Sequence, residues 1–141
     1  MAKLNEIFFY QLEKSIKSYR RYVQNQFKAH NFVITVDQWL VLKVLSENSK
    51  FTQSDLADLV FKDKASMTRL IELLVLKKLV QRAPHETSGR RFKLIITDKG
   101  HDLINHITPL VKNNRNQALK GITQVDLQLT ENTLKKIIEN C

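Results

Sequence analysis

The chain has 141 residues, 43% of them apolar and 26% charged, and this balance excludes wholesale disorder. Lys and Arg number 23 against 14 Asp and Glu, so the net charge of +9 favours a polyanionic partner, usually nucleic acid. Three Gly and two Pro are too few for a turn-rich β-barrel, and no run of roughly 18 apolar residues indicates a membrane span. We therefore expect one mostly helical domain, a cytoplasmic location that fits the single cysteine, Cys141, and no membrane partner.

Residues 4–29 have the pattern of one long helix. Six apolar residues recur every three or four positions and form one stripe: Phe8, Leu12, Ile16, Tyr19, Val23 and Phe27. A stripe of this length exceeds what a small lobe can cover, so we interpret its first four residues as part of a dimerisation surface. A helix that folds wholly onto its own core is the alternative.

The segment from residue 35 to residue 77 predicts three helices, each with a capping residue before it. Thr35 stands three residues before Gln38 in a capping box, Thr52 precedes a short helix, and Asp63 precedes a helix over 64–77. The predicted inward faces are Val36, Trp39, Leu40 and Val44, then Leu56, Leu59 and Val60, then Met67, Leu70, Ile71 and Leu74. The last two helices, joined by a tight turn, predict a helix-turn-helix.

The rest of the chain predicts a hairpin and two further helices. β-Prone runs at 79–83 and 92–96 flank a polar loop, and a hairpin directly after a helix-turn-helix is a wing. Thr97 caps a helix that runs to about Lys120, and residues 123–140 hold a last helix. Its apolar residues, which we assign to dimerisation, are Leu134, Ile137 and Ile138. The predicted fold is mostly α with a small β-hairpin wing: a winged helix-turn-helix lobe over 35–100, with dimerisation helices in 1–34 and 101–141.

Four segments, in this order, resemble the MarR family of bacterial transcription regulators. Residues 35–42 (TVDQWLVL), 52–57 (TQSDLA) and 63–70 (DKASMTRL) are similar to the family's core, and residues 90–100 (RRFKLIITDKG) to its wing and next helix. The resemblance implies a winged-helix homodimer that binds palindromic double-stranded DNA operators, usually as a repressor released by a small-molecule effector. Ser88 departs from it, since members usually have an Asp there that braces the wing arginine. Lys78 departs too, since Gly is common there.

The helix over 64–77 is the predicted recognition helix, because its apolar face leaves Ala65, Thr68, Arg69 and Glu72 outward. Ala65 and the Thr68 methyl group can contact a thymine methyl, and Arg69 can reach guanine or a phosphate. Lys64 and Ser66 lie in the first turn, where free amide groups and the helix dipole attract phosphate. An ion pair between Arg69 and Glu72 on a solvated face is the alternative for Arg69.

Two arginines at the predicted wing tip, Arg90 and Arg91, are candidates for the minor groove, where narrow A-tracts strengthen the negative potential. A solvated charge pair at a loop tip is the alternative. Because Ser88 offers only a neutral hydrogen bond, it would brace the wing less firmly than a carboxylate. At position 78, a Lys with positive φ would strain the backbone, or the helix must end differently.

Other classes of function lack a matching pattern. His101 and His106 are five residues apart and do not share a helix face, while His30 and His85 are distant in sequence, so no metal site is predicted. No glycine-rich phosphate loop or nucleophile elbow occurs, so neither an enzyme nor a cofactor is predicted. Two alternatives stay open: a winged helix used for protein assembly, and a nucleoid-type binder that reads DNA shape alone. The sequence does not identify an effector; Trp39 and Tyr22 are candidates to line its pocket, with core packing favoured for Trp39.

Overall fold

The computed structural model describes residues 1–48, 50–84 and 92–141, and it confirms the predicted fold class. A short 3-10 turn at Leu4–Glu6 precedes six helices and two strands in the described part of the chain. In chain order these are α1 (Phe8–Ala29), α2 (Val36–Glu47), α3 (Gln53–Leu59), α4 (Lys64–Leu76), β1 (Val80–Pro84), β2 (Phe92–Ile96), α5 (Asp98–Ala118) and α6 (Gln124–Asn140). The predicted first helix therefore begins four residues later than expected, at Phe8. The described residues include no helix with both the length and the apolar character that crossing a bilayer requires.

The helices of the lobe begin where the capping residues predict. The Thr35 hydroxyl accepts from the Gln38 backbone N–H at 3.1 Å, and the Gln38 side chain accepts from the Thr35 N–H at 3.0 Å. Thr52 and Asp55 form the same reciprocal pair at the start of α3. Asp63 caps α4, and Thr97 caps α5. Each cap gives a partner to an amide group that the helix itself leaves free, which fixes the first turn.

Three helices end on a left-handed residue that is not glycine. Asn31, Phe61 and Lys78 have φ values of 62°, 60° and 61°. After α4, the Leu79 N–H donates to the Leu74 carbonyl at 3.0 Å and the Lys78 N–H to the Val75 carbonyl at 2.9 Å, the pair of bonds of a Schellman motif. Of the two alternatives for position 78, the structure shows the first, in which Lys78 adopts a positive φ at a cost of roughly 1–2 kcal/mol.

The core of the lobe lies between α2, α4, the hairpin and α5. On α4 the predicted face is confirmed, because Met67, Leu70, Ile71 and Leu74 are all buried. On α2 the predicted face is incomplete: its four residues pack half-buried against the core, and the fully buried apolar residues are Val41, Leu42 and Leu45. This helix packs on α1, α5 and β2 together, so it is enclosed on more than one side. Leu59 is likewise 46% exposed, and Ala57 takes the inward place on α3.

The two ends of the chain leave the core. Val23 and Phe27 of α1 are buried, whereas Phe8 and Ile16 are 50% and 51% exposed. As the structure describes it, α6 contains no buried residue, and Ile138 is 74% exposed. Leu12, Tyr19, Leu134 and Ile137 are half-buried. The predicted dimerisation residues therefore lie on surfaces that this chain alone leaves partly or largely open.

Candidate nucleic-acid interface

The predicted recognition helix, α4, exposes three of the four residues predicted to point outward, namely Ala65, Arg69 and Glu72, and leaves Thr68 half-buried. Its four core residues anchor one side, and on the other Lys64, Ala65, Ser66 and Arg69 are exposed. Arg69 and Glu72, both within the described residues, form no ion pair with each other, so this alternative for Arg69 is wrong in this structure. The guanidinium of Arg69 is therefore available to a base or a phosphate.

The first turn of α4 is less open to phosphate than its position suggests. Asp63 accepts from the Ser66 backbone N–H at 2.7 Å and from the Ser66 hydroxyl at 2.8 Å. Both bonds lower the pKa of Asp63, and the bond from the Ser66 backbone N–H has the larger effect. Both donors of Ser66 are thus already used within the protein, so a phosphate contact by Ser66 would require it to exchange them. Lys64 has no such contact in the described part of the chain, so its ammonium group is a candidate for a phosphate contact.

Thr68 lies at the seam between the two helices of the helix-turn-helix. Its hydroxyl oxygen accepts from the Gln53 side-chain amide at 2.7 Å, and the same hydroxyl donates to the Lys64 carbonyl at 2.9 Å. Thr68 is half-buried rather than fully outward. The sequence interpretation did not single out Gln53, which is the first residue of α3. The one sequence signal for Gln53 is its position directly after the cap Thr52, at the start of α3.

A cleft of about 460 Å³ lies beside this seam. Thr52–Asp55 at the start of α3, Lys64 at the start of α4, and Phe92 and Leu94 of β2 line it. Lysine and hydroxyl groups along a concave surface between a helix-turn-helix and a wing are suited to the phosphate backbone, because they supply positive charge and hydrogen-bond donors. The cleft is therefore a candidate extension of the α4 surface towards the hairpin, although the Asp55 carboxylate in its lining opposes a phosphate.

The wing strands pair as predicted. β1 and β2 are antiparallel, in a register that pairs Val80 with Ile96 and Pro84 with Phe92. Arg90, Arg91 and Ser88 lie outside the described residues, so the structure does not test the predictions made for them. The hairpin is confirmed, and the minor-groove role of its arginines stays a prediction.

A charged cluster that the sequence interpretation missed joins the lobe to α1. We call it the Asp37 clamp: the Asp37 carboxylate accepts from Arg20 of α1 at one oxygen and from Lys62, in the helix-turn-helix turn, at the other, the latter at 2.9 Å. Burial opposes the ionisation of Asp37, but the bonds from Lys62 and Arg20 outweigh it and hold the pKa of Asp37 below its usual value. The clamp positions the residue that precedes the cap of the recognition helix.

The described residues contain no group of three His, Cys, Asp or Glu side chains placed to hold a metal ion. Trp39 packs half-buried against the core, which fits the packing role favoured for it. An apolar cavity of about 440 Å³ lies elsewhere, between the α1–α2 connection, the end of α4 and the start of α5. Val33, Ile34, Leu79 and Leu103 line it, with Lys77 and Lys99 beside them.

Comparison with known proteins finds a family model that matches the helix-turn-helix lobe. Residues 34–91 match the model of the MarR family. The HTH-type transcriptional repressor IacR of Pseudomonas putida is 24% identical over 121 residues, which are 85% of this chain and 72% of IacR. The HTH-type transcriptional regulator SarZ of Staphylococcus epidermidis is 25% identical over 122 residues, 86% of this chain and 77% of SarZ.

Solved structures share the fold. A mutant of Escherichia coli MarR, complexed with operator DNA, has a TM-score of 0.86 at 22% identity and covers 97% of this chain and 99% of its own. Bordetella bronchiseptica BpsR, described for the regulation of its DNA binding by 6-hydroxynicotinic acid, has a TM-score of 0.87 at 18% identity and covers 97% and 96%. The match to the MarR family model thus covers the helix-turn-helix lobe of this chain, and the solved structures share its fold over nearly the whole length.

Proposed function

We propose that this protein binds double-stranded DNA in a sequence-specific manner and regulates transcription, as a repressor. The observation that carries the proposal is the polarity of α4: one side is fixed in the core, and the other presents Lys64, Ala65 and Arg69 to solvent beside the cleft at β2. The net charge of +9 supports a polyanionic partner. The names of the relatives IacR and SarZ support regulation, and that of IacR supports repression.

The test is to select a duplex from a random pool and compare variants on it and on altered sites. We expect Arg69→Ala to lose roughly 1–3 kcal/mol of discrimination at one base pair per half-site, as for a lost base contact. Lys112→Ala is the matched control, since Lys112 is an exposed cation on α5, roughly 21 Å along that helix from its start near the lobe. An unchanged preference for Arg69→Ala would refute the assignment of α4 as the recognition helix. If random DNA competed as well as the selected site, the result would favour the nucleoid-type alternative.

We infer that two copies of the chain form a homodimer through α1 and α6. A helix that buries none of its residues has little to hold it in water, because helices of this length are marginal without tertiary packing. Phe8 and Leu12 of α1 and Leu129 and Leu134 of α6 border a common groove of about 390 Å³, which the single chain leaves open. A second copy related by a two-fold axis covers these surfaces and places the recognition helices about 34 Å apart, which matches a palindromic site.

The dimer is tested by sedimentation at micromolar concentration. Ile16→Asp combined with Tyr19→Asp puts two charges on the stripe and is expected to give monomers that bind the operator weakly. Lys14→Asp, at an exposed position of the same helix off the stripe, is the control for the change in charge. A wild-type monomer, or a dimer that the double substitution leaves intact, would contradict the proposed interface.

We also propose that a small organic acid releases the protein from DNA by binding in the apolar cavity between α4 and α5. Its lining is mostly aliphatic, and two ammonium groups border it: Lys77 donates to the Val33 carbonyl at 2.6 Å, and Lys99 to the Lys77 carbonyl at 3.0 Å. An apolar ligand with a carboxylate would suit this lining, and the description of BpsR supports an effector of this size and chemistry. Titrating aromatic and aliphatic acids into the DNA complex tests the idea. We expect Leu103→Phe, which fills the cavity, to raise the concentration needed for release at least tenfold, whereas release that Leu103→Phe leaves unchanged would exclude this cavity.

A further inference from the structure

We propose that Gln53 and Thr68 read the operator as one unit, with Gln53 as a specificity-determining residue that lies outside the recognition helix. The inference rests on the proposed DNA-binding function and adds a contact that the sequence interpretation did not include. Its target is an adenine, at one position in each half-site.

The hydrogen bonds of Thr68 assign the polar part of this unit to Gln53. A threonine hydroxyl has one proton, and that of Thr68 is donated to the Lys64 carbonyl at 2.9 Å. The same oxygen accepts from Gln53 Nε2 at 2.7 Å. Thr68 therefore has no donor left for a base unless it breaks an existing bond, and what it presents outward is its methyl group.

Gln53 has the opposite balance. Its side chain has two N–H donors and two acceptor positions on Oε1, and one N–H is used on Thr68. Within residues 1–48, 50–84 and 92–141 this is its one side-chain hydrogen bond, so a donor and the acceptor oxygen remain. In the major groove adenine presents an acceptor, N7, beside a donor, N6, and an amide matches this pair.

The position of Gln53 brings the amide to the DNA-facing side. Gln53 lines the cleft between α3 and β2, together with Lys64 of the recognition helix. Thr68 lies on α4 between the exposed residues Ala65 and Arg69. Gln53 belongs to α3, and its hydrogen bond to Thr68 of α4 holds the amide at the edge of the surface that α4 presents.

The bond also orders Gln53 before DNA arrives. A free glutamine side chain loses rotamer freedom when it binds, and a contact made in advance lowers that cost. Removal of the Thr68 hydroxyl should therefore weaken the contribution of Gln53 although Thr68 itself gives no proton to the base. This coupling separates a reading unit from two independent contacts.

The experiment is a double-mutant cycle of Gln53→Ala and Thr68→Val, measured on the selected operator and on variants with each A·T pair replaced. Valine keeps the shape and methyl groups of threonine and removes the hydroxyl. We expect Gln53→Ala to lose about tenfold in preference for A·T at one position per half-site, and Thr68→Val to lose part of the preference at that same position. In the Gln53→Ala background, Thr68→Val should add little at that position. Asp58→Asn, at an exposed position of α3 outside the cleft, is the control that leaves base preference unchanged.

The outcomes separate this inference from the proposed function. If the wild type prefers no sequence over random DNA, the proposed function fails first. If the wild type and Arg69→Ala behave as proposed but Gln53→Ala keeps every base preference, the reading unit is refuted alone. If Gln53→Ala weakens binding to all sequences equally, Gln53 contacts a phosphate and the reading unit is refuted. The reading unit is also refuted if the effects of the two substitutions in the cycle are independent. Thermal unfolding of each variant confirms that the comparison is made between folded proteins.

Discussion

The Asp37 clamp predicts how firmly the DNA-binding lobe is held to α1. Asp37→Asn keeps the size of the side chain and removes the charge that joins Arg20 to Lys62. The side chains of Arg20, Lys62 and Asp37 are 39%, 31% and 21% exposed, so the clamp is partly screened and each ion pair is worth about 0.5–1 kcal/mol. Loss of both pairs should lower the free energy of unfolding by about 1–2 kcal/mol, and the melting temperature by about 2–8 °C.

The lowered pKa of Asp37 determines how the stability difference between the two proteins changes with pH. Folding lowers the pKa of Asp37, so its contribution is complete above the unfolded value, near 3.8, and is lost as the pH falls through the folded value. The assay is thermal unfolding of both proteins at one fixed concentration from pH 7 to pH 3. We expect a constant difference down to about pH 5 that closes below pH 4.

A matched control comes from an exposed pair. Lys43 and Glu47 are 3.1 Å apart, with side chains 47% and 62% exposed, so Glu47→Gln should cost at most about 0.5 kcal/mol. The reasoning is refuted if Asp37→Asn melts with the wild type at pH 7, if it costs no more than Glu47→Gln, or if its deficit persists unchanged at pH 3.

Three further predictions concern the recognition helix and its ends. Lys78→Gly should raise the free energy of unfolding, measured by urea denaturation, by about 0.5–1 kcal/mol, because glycine adopts the left-handed φ of 61° without strain. Lys78→Ala keeps a Cβ and should give no gain in the same assay. Gly100→Ala should cost about 2–3 kcal/mol in the same assay, because a Cβ would lie 2.4 Å from the Leu79 carbonyl oxygen; a neutral result would mean that α5 shifts freely. Lys64→Ala should weaken all duplexes alike and lower the slope of log affinity against log salt by about 0.9 per lobe, and loss of base preference with an unchanged slope would make Lys64 a base contact instead.

The features that the sequence predicted are those whose partners are close in the chain. A helix cap joins residues three apart, so Thr35, Thr52 and Asp63 could be recognised from spacing alone. The buried face of α4 was readable in its first half, where Thr68, Arg69 and Glu72 interrupt the apolar residues. The left-handed residue at position 78 followed from a comparison with the family's usual glycine.

The features that the sequence did not predict depend on packing between distant segments. Gln53 and Thr68 are 15 residues apart, and Arg20 and Asp37 are 17 apart, so no local pattern indicates either bond. In α2 the difficulty is different: apolar residues occur on almost every side, so periodicity alone cannot say which face is innermost. Packing against three neighbours decided that Val41 and Leu42 lie deepest.

The recognition helix is held at its two ends by different parts of the molecule, and this arrangement bears on how an effector would act. Before its start, Lys62 is tied through Asp37 to α1. After its end, Thr97, the cap of α5, donates to the Lys78 carbonyl at 2.7 Å, and Lys99 of α5 donates to the Lys77 carbonyl at 3.0 Å. The cavity proposed for the effector borders the second joint and not the first. A carboxylate that draws Lys99 away from the Lys77 carbonyl therefore loosens one end of a helix of 13 residues, roughly 20 Å long, while the other end stays fixed. On the proposed effector mechanism such a helix would tilt rather than detach, and in the proposed dimer a tilt would change the spacing of two reading faces that must match one turn of DNA together. Release by this proposed route would require no unfolding of the lobe and no contact between effector and DNA.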